Sequence, residues 1–333
     1  MTKADYGFYV PVKVVIAGLF LILLSGFMAS FEPVCAFEGP LQSRNQFPLF
    51  MHADAPGLES ARTEDSFSAS LYYSSVFMSR QSPTWDVLLD MEVATLELQY
   101  KKDIGQNLEL GITIPVISFN SGFMDGFLQD FHKTLGVGDY GRSARPNNEF
   151  AYEVRNNGQL MIRGETGTGL GDIRLTAKKM IFTADPAVSV SASLELPTGD
   201  ASKGYGNGSV DAGLSVLVDK RLGENLMSYF NAGVIFPGNV KAEQTVSLRD
   251  SFFAGAGLEF LVSRHFGLLG QTIVQTSPYP KTGIGEIDRT GVIVVFGGRY
   301  TRAKDSIEFS MTEDPNTAGA TDFTFNVLYK RRF

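Results

Sequence analysis

The feature that most constrains this chain is a long hairpin pattern between residues 188 and 218. Its two arms, 188–196 and 210–218, each run for nine residues and alternate apolar with small or polar side chains. Successive side chains on a strand point to opposite faces, so each arm has one apolar and one polar face. Soluble strands are usually about five or six residues long, whereas a tilted strand needs about nine to eleven to cross a bilayer. The hairpin therefore predicts membrane-spanning β-structure.

The same alternation recurs along most of the chain. It predicts strands at 67–77, 87–100, 107–118, 171–182, 188–196, 210–218, 226–236, 251–262, 266–276, 289–300, 305–311 and 322–333. The predicted connections are mostly short and long in turn, which is typical of outer-membrane barrels with short periplasmic turns and longer external loops. We therefore expect an all-β fold, a transmembrane antiparallel up-and-down β-barrel of about 12 strands, with 10 or 14 as the alternative counts. A secreted β-sandwich is the alternative fold.

A further hairpin pattern lies between the third and fourth predicted strands. Its arms are 150–155 and 159–164, and Asn157-Gly158 between them is a signal for a type I′ turn. We place this hairpin in an external loop, where it would extend past the membrane.

The N-terminus carries the only long apolar run. Residues 14–31 follow Lys3 and Lys13, and Val34-Cys35-Ala36 offers small residues to a signal peptidase. We expect a signal peptide over 1–36, cleaved near Ala36; an uncleaved anchor and a lipidated Cys35 are the alternatives. Cys35 is the single cysteine, so the mature chain would have no disulfide. Residues 37–63 have no strand period and form either a plug or a loose periplasmic arm, and 64–333 form the barrel.

The C-terminal strand gives a second indication of location. The chain ends in an aromatic residue, and the alternating residues before it share one face: Phe325, Val327, Tyr329 and Phe333. This resembles the C-terminal signature of bacterial outer-membrane barrels, although Arg331 departs from it. The resemblance implies the cell outer membrane as location, with its lipid and the barrel-assembly machinery as partners.

Several segments resemble a Gram-negative outer-membrane family that is catalogued as a domain of unknown function. They are Arg44-Asn-Gln-x-Pro-Leu49, Gly122-Phe-Met-Asp-Gly-Phe127 running to His132, Gly141-Arg142, Gly169-Leu-Gly-Asp172 and Leu196-Pro-Thr-Gly-Asp200. The resemblance spans most of the mature chain and implies the barrel and its compartment. It implies no activity and no catalytic residues.

One predicted loop, 119–148, carries aromatic residues at helical spacing and predicts a short amphipathic helix. Three interpretations are open: it caps the barrel mouth, it folds into the lumen as a constriction, or it lies on the outer leaflet or against a partner. The candidate constriction residues are Phe123, Phe127, Phe131 and His132.

The predicted inner faces collect charged side chains. The candidate lumen-lining residues are Glu97, Glu109, Asp172, Arg174, Glu195, Asp211, Glu259, Arg299 and Glu308. They predict either a solvated lumen whose charges pair across strands or a lining that favours cations, since rings of acids select cations. The net charge of −7 gives no nucleic-acid footprint.

The function that fits these patterns is a passive channel for small polar or amphipathic solutes. A closed structural or partner-binding barrel that acts through its external loops is the alternative. A surface hydrolase using Asp130, His132 and Asp139 is a third hypothesis, but we expect no enzymatic activity. The sequence has no metal-ligand spacing and no cofactor motif.

Overall fold

The computed structural model describes residues 37–53, 57–126, 145–321 and 323–333. The predicted signal peptide and the loop residues Phe127, Phe131 and His132 lie outside the described residues, as does most of the predicted amphipathic helix.

Twelve antiparallel strands form a closed barrel, which confirms the predicted fold and strand number. Numbered along the chain with the shorter strands, they are β1 (Ser66–Gln81), β2 (Trp85–Asp103), β3 (Leu108–Asn120), β7 (Ile173–Phe182), β8 (Ala187–Leu196), β9 (Asp211–Arg221), β10 (Leu226–Phe236), β13 (Ser251–Leu261), β14 (Phe266–Gln275), β15 (Gly291–Arg302), β16 (Asp305–Glu313) and β17 (Phe323–Arg332). Strand β1 pairs with β17 from Ser66 opposite Arg332 to Ser75 opposite Phe323, and this pairing closes the sheet.

The remaining strands extend one end of the barrel. They are β4 (Ala151–Asn156), β5 (Gln159–Arg163), β6 (Gly167–Leu170), β11 (Val240–Lys241) and β12 (Thr245–Val246). The predicted hairpin is confirmed as β4 and β5, and β4 pairs with β2 along Trp85–Asp90. We call this the loop end, and the opposite end, which holds the short turns and the start of β1, the turn end. No helix among the described residues is long and apolar enough to cross a membrane.

The barrel wall is apolar outside and polar inside, as the alternation predicts. On β9, Leu214 and Val216 are 56% and 45% exposed, whereas Asp211 and Asp219 are buried. On β1 the inner face is Ser66, Ser68, Ser70, Tyr72 and Ser74, and all five are buried. Exposed apolar and buried polar residues are the inverse of a soluble β-protein, and this arrangement suits a strand between lipid and a polar interior.

The largest apolar core lies at the loop end. It joins Phe47 and Phe50 to residues of the wall and the long loops. Phe119 stacks on Tyr205 with ring centroids 4.9 Å apart, and Trp85 meets Tyr279 edge-on at 5.8 Å. The loops therefore cover the loop end with a packed aromatic cluster.

Candidate channel lumen

We call residues 37–63 the arm, and its described parts, 37–53 and 57–63, run through the barrel and back. At the turn end Arg332 Nη2 lies 2.7 Å from Glu38 Oε1, and farther along Arg44 Nη1 lies 3.0 Å from Glu97 Oε2. The arm then reaches the loop-end core through Phe47. It returns to the turn end, where the Ala61 N–H donates to Asp219 at 2.9 Å. The arm thus crosses the interior twice before β1 begins.

Wall side chains hold the arm by its backbone. The arm carbonyls accept hydrogen bonds from strands around the barrel: Pro40 from Arg299 (3.1 Å), Leu41 from Gln271 (3.0 Å), Gln42 from Asn326 (3.1 Å), Ala53 from Gln275 (3.1 Å), Glu59 from Asn231 (3.2 Å) and Ser60 from Lys178 (3.1 Å). An irregular segment inside a closed barrel needs such donors, because it has no sheet partner and unpaired buried carbonyls are costly.

An apolar strip fixes the arm against one side of the wall. Leu41 and Leu58 are 0% and 4% exposed and pack with buried apolar residues of the wall and a loop: Leu269, Ile273, Ile293, Val295 and Ala320. A Cβ on Gly255 would lie 2.6 Å from Leu58 Cδ2, so the glycine leaves room for the leucine. The alternation of apolar and polar side chains is interrupted in β14 and β15, because the inward positions that carry this strip hold apolar residues.

Five of the seven predicted lumen acids lie within ion-pair distance of a base. The wall pairs are Glu109 with Lys178 (3.0 Å), Glu259 and Glu308 with Arg299 (2.7 Å each) and Glu195 with Arg174 (3.6 Å). Glu97 pairs with the arm through Arg44. Each of these five acids is thus close to a base, so the part of the lumen lining that the structure describes does not present a ring of free carboxylates.

The other two predicted lining acids hold loops at the loop end. Asp172 accepts backbone N–H bonds from Gly199 (2.8 Å) and Asn207 (3.0 Å). Asp211 accepts from the Asn207 side chain (2.8 Å) and from the Gly238 N–H (2.7 Å). These carboxylates satisfy loop backbone groups, which is a structural role that the sequence pattern did not predict.

Two lysines that the sequence reasoning missed bind the arm and Glu64, the residue that directly follows it. Lys101 Nζ lies 3.3 Å from Glu59 of the arm and 3.8 Å from Glu64. Lys330 Nζ lies 3.2 Å from Glu64 and donates to the Glu38 carbonyl of the arm at 3.4 Å. Burial acts to raise the pKa of Glu64, but the positive charges of Lys330 and Lys101 outweigh it and hold that pKa well below its usual range. The two-residue alternation of β2 could have identified Lys101 as a lumen residue, because Lys101 lies on the same inward face as Glu97.

A small polar cavity remains between the arm and strands β1, β2, β3, β7, β16 and β17. Its volume is about 70 Å³, and its lining includes Arg44, Tyr72, Glu97, Lys101 and Thr113. A polar cavity of this size has room for several waters.

Phe123 is not a lumen constriction. It is 72% exposed on the outer side of the wall, and its N–H donates to Glu92 on the outward face of β2 at 2.8 Å. The segment after β3 turns outward there, because Glu92 supplies an acceptor on that side. Of the four constriction candidates, Phe123 alone is described.

The predicted insertion signature lies on the outer face of β17 and at its end. Phe325 and Phe333 are 41% and 60% exposed, and Val327 and Tyr329 are partly exposed between them. The Tyr329 hydroxyl donates to Asp305 Oδ1 at 2.7 Å, so its ring remains beside the neighbouring strand.

Comparison with solved structures identifies the same architecture. An outer membrane channel from Pseudomonas putida F1 is similar, with a TM-score of 0.54 and 18% identity over 84% of this chain and 99% of that chain. The NanC porin has a TM-score of 0.47 and 7% identity, over 80% of this chain and 100% of that one. The P. putida toluene transporter TodX has a TM-score of 0.41 and 9% identity, over 81% and 90%.

Sequence comparison gives one family. A family model described as "Protein of unknown function (DUF3187)" matches residues 20–333, which confirms the resemblance seen in the sequence. No curated protein matches the chain.

Proposed function

The chain belongs to this family of proteins of unknown function, and we propose that it is an outer-membrane channel for small polar or amphipathic solutes, closed by residues 37–63. The observation that carries the proposal is the polar part of the inner wall, which contacts the arm through hydrogen bonds and ion pairs from strands around the barrel. A barrel with only a structural role could fill its interior with apolar side chains, which need no hydrogen-bond partners. A wall of hydroxyl, amide and charged groups can instead be hydrated when the arm leaves.

The arm acts as a plug in this proposal. It is continuous with β1 at Ser66, so it can move out of the lumen toward the turn end and remain attached. We place the turn end in the periplasm, since barrels of this class have short turns there. Opening would replace the wall-to-arm hydrogen bonds with bonds to water, whereas the apolar contacts of Leu41 and Leu58, and those of Phe47 and Phe50 in the loop-end core, would have no substitute. These apolar contacts therefore favour the closed state most strongly.

Ion selectivity in the open state would be weak. Displacing the arm would free Glu97 and Asp219 of their arm partners, would release Lys101 from Glu59, and would loosen Lys330 from Glu64, which directly follows the arm. The acids already paired with wall bases would stay paired. The open lumen would then carry both signs, which revises the cation-favouring lining expected from the acids alone.

A second candidate function is a closed barrel that binds a partner through its loops. The packed aromatic cluster at the loop end favours it, because this cluster gives the loops a fixed shape. Neither candidate assigns a catalytic role to any residue.

Liposome swelling with uncharged sugars and zwitterionic amino acids of increasing size tests the channel proposal. Two proteins are compared, 37–333 and the arm-deleted 64–333, and heat-modifiable gel mobility confirms that both barrels are folded. We expect slow swelling with 37–333 and fast, size-limited swelling with 64–333. Folded 64–333 that admits no solute would refute the channel and favour the partner-binding barrel.

A further inference from the structure

We propose that residues 121–126 form an anchor on the outer wall that inserts Phe123 into the bilayer at the loop-end edge of its apolar region. The anchor depends on the barrel lying in a membrane and not on whether the lumen conducts.

A buried carboxylate builds the anchor. Glu92 lies on the outward face of β2, in register with Ser75 of β1, yet it is only 2% exposed. Its side chain accepts the N–H groups of Phe123 and Met124 and the hydroxyl of Tyr73. A carboxylate on the lipid side of a barrel is costly unless such donors satisfy it. The three donors therefore explain why this acid is tolerated there and tie the segment to the outer wall.

Gly122 allows the chain to make this turn. Its φ is +70°, a backbone conformation that favours glycine. A Cβ at this position would lie 1.9 Å from the carboxyl carbon of Glu92. The residue that redirects the chain over the barrel rim is thus also the one that leaves space for the carboxylate.

Apolar packing holds the segment close to the wall. Met124 is 8% exposed and packs with Phe323 of β17, beside Tyr73 and Met311. Tyr73 and Phe325 are paired across β1 and β17, on the lipid side. Met124 therefore lies on the outer face of three strands, whereas its neighbour Phe123 keeps most of its ring uncovered.

The position of Phe123 corresponds to one edge of the membrane. Its ring centroid is 5.6 Å from that of Tyr73, which is paired with Phe325. Phe325 precedes Phe333 by eight residues, which corresponds to about 26 Å along a strand. Because the strands of such barrels tilt by about 40°, this distance is about 20 Å along the barrel axis. The apolar band of such barrels is about 25 Å tall and has aromatic girdles at both edges. Phe333 and Tyr100, 6.4 Å apart, lie at the turn-end edge, so Phe123 belongs to the opposite girdle.

The occupant that this surface fits is membrane lipid. The surface continues the outward apolar wall, which has Phe325 at 41% exposure beside it, and a ring that is 72% exposed would otherwise lie in water. Aromatic rings at the membrane–water boundary have their apolar parts in lipid.

Site-directed spin labelling tests the anchor in reconstituted bilayers. Cys35 is the only cysteine, so Phe123→Cys in a full chain that also carries Cys35→Ser has one labelling site. Leu258→Cys, on the lipid-facing wall, and Gln159→Cys, on the exposed external hairpin, are the matched references. Collision rates with oxygen, which concentrates in lipid, and with a water-soluble nickel chelate report depth. We expect the oxygen-to-nickel ratio at position 123 to shift toward that of 258, and a ratio equal to that of 159 would overturn the proposal.

Glu92→Gln in the labelled chain tests whether the Glu92 carboxylate holds the anchor against the outer wall. An amide accepts the two N–H groups less strongly than a carboxylate, so we expect a more mobile label with greater nickel exposure. A label at position 123 that is unaffected by Glu92→Gln, in a barrel folded by its heat-modifiable mobility, would refute the role of Glu92. Spin–spin broadening between labels on separate molecules would also overturn the lipid proposal, since the surface would then bind a second copy of the chain.

Discussion

Leu41→Ala tests how the arm is held. Leu41 is fully buried in the strip against β14 and β15, and it would be exposed to water when the arm leaves. Large-to-small changes at such sites cost about 3 kcal/mol, from the lost transfer free energy and the cavity left behind. Because about 1.4 kcal/mol is a tenfold change, the population with an undocked arm should rise about 100-fold.

Hydrogen exchange followed by mass spectrometry measures this population directly. Arm amides such as that of Ala61, which donates to Asp219, exchange when the arm undocks. We expect peptides spanning 57–63 to lose about 100-fold of their protection in Leu41→Ala, whereas barrel peptides stay protected.

Leu194→Ala is the matched control. Leu194 is 41% exposed on the lipid-facing side of β8 and does not belong to the arm strip, so the same substitution there should leave arm exchange unchanged. Arm protection that falls by less than about threefold in Leu41→Ala would refute the apolar docking argument, because a lost packing contact of this size predicts far more. An equal loss in Leu194→Ala would show that the effect comes from general destabilisation.

Three further predictions concern single groups. Tyr152 has a buried hydroxyl without a hydrogen-bond partner among the described residues. Because a buried unpaired hydroxyl does not stabilise the fold, Tyr152→Phe should leave the thermal unfolding temperature unchanged or raise it. A clear decrease in this temperature would show that the hydroxyl is paired. Glu97→Gln weakens the ion pair with Arg44 and removes a charged hydrogen bond worth about 1.5 kcal/mol. Hydrogen exchange of the arm amides should therefore increase about tenfold. No change in this exchange would mean that the pair does not stabilise the docked arm. Glu64 directly follows the arm, and undocking would loosen it from Lys330 and Lys101. Its depressed pKa therefore stabilises the docked state above the ordinary glutamate pKa of about 4.3, and this stabilisation is lost as the pH falls through the lower pKa of the docked state. Arm exchange, corrected for its intrinsic pH dependence, should therefore rise below about pH 4, and Glu64→Gln should remove that part of the rise.

The barrel wall could be predicted from the sequence because strand alternation is a local property. The strand β10 has the predicted bounds, and the outward residues of β9 and β17 are those that the pattern assigned. A two-residue period needs no knowledge of distant contacts. The closing pair of β1 and β17 then follows from an even number of consecutive antiparallel strands.

The path of the arm could not be predicted in this way. Its contacts join residues far apart in the chain, such as Leu41 with Gln271, which are 230 positions apart, and no periodicity encodes them. Ile293 and Val295 are inward apolar residues that depart from the alternation, and they lie where Leu41 and Leu58 pack. Such breaks coincide with the surface on which the arm packs, but the pattern does not show what packs there.

The direction of the segment after β3 was also beyond the pattern. Aromatic residues at helical spacing fit a lumen constriction and an outer anchor equally well. The decision depends on Glu92, an acid on an otherwise lipid-facing row, and on Gly122, whose missing side chain lets the backbone reach it. The contact between these two residues depends on the tertiary structure, which the sequence pattern does not show.

Single-channel recording in planar bilayers tests the central claim, that residues 37–63 close a polar channel. The intact chain 37–333 should give rare, brief openings, and folded 64–333 should give steady currents with weak ion selectivity. A synthetic peptide of residues 37–63, added to the turn-end side, should block those currents, whereas a peptide with Leu41→Ala and Leu58→Ala should block far less. Steady currents from the intact chain equal to those from 64–333, or no current from folded 64–333, would contradict the account.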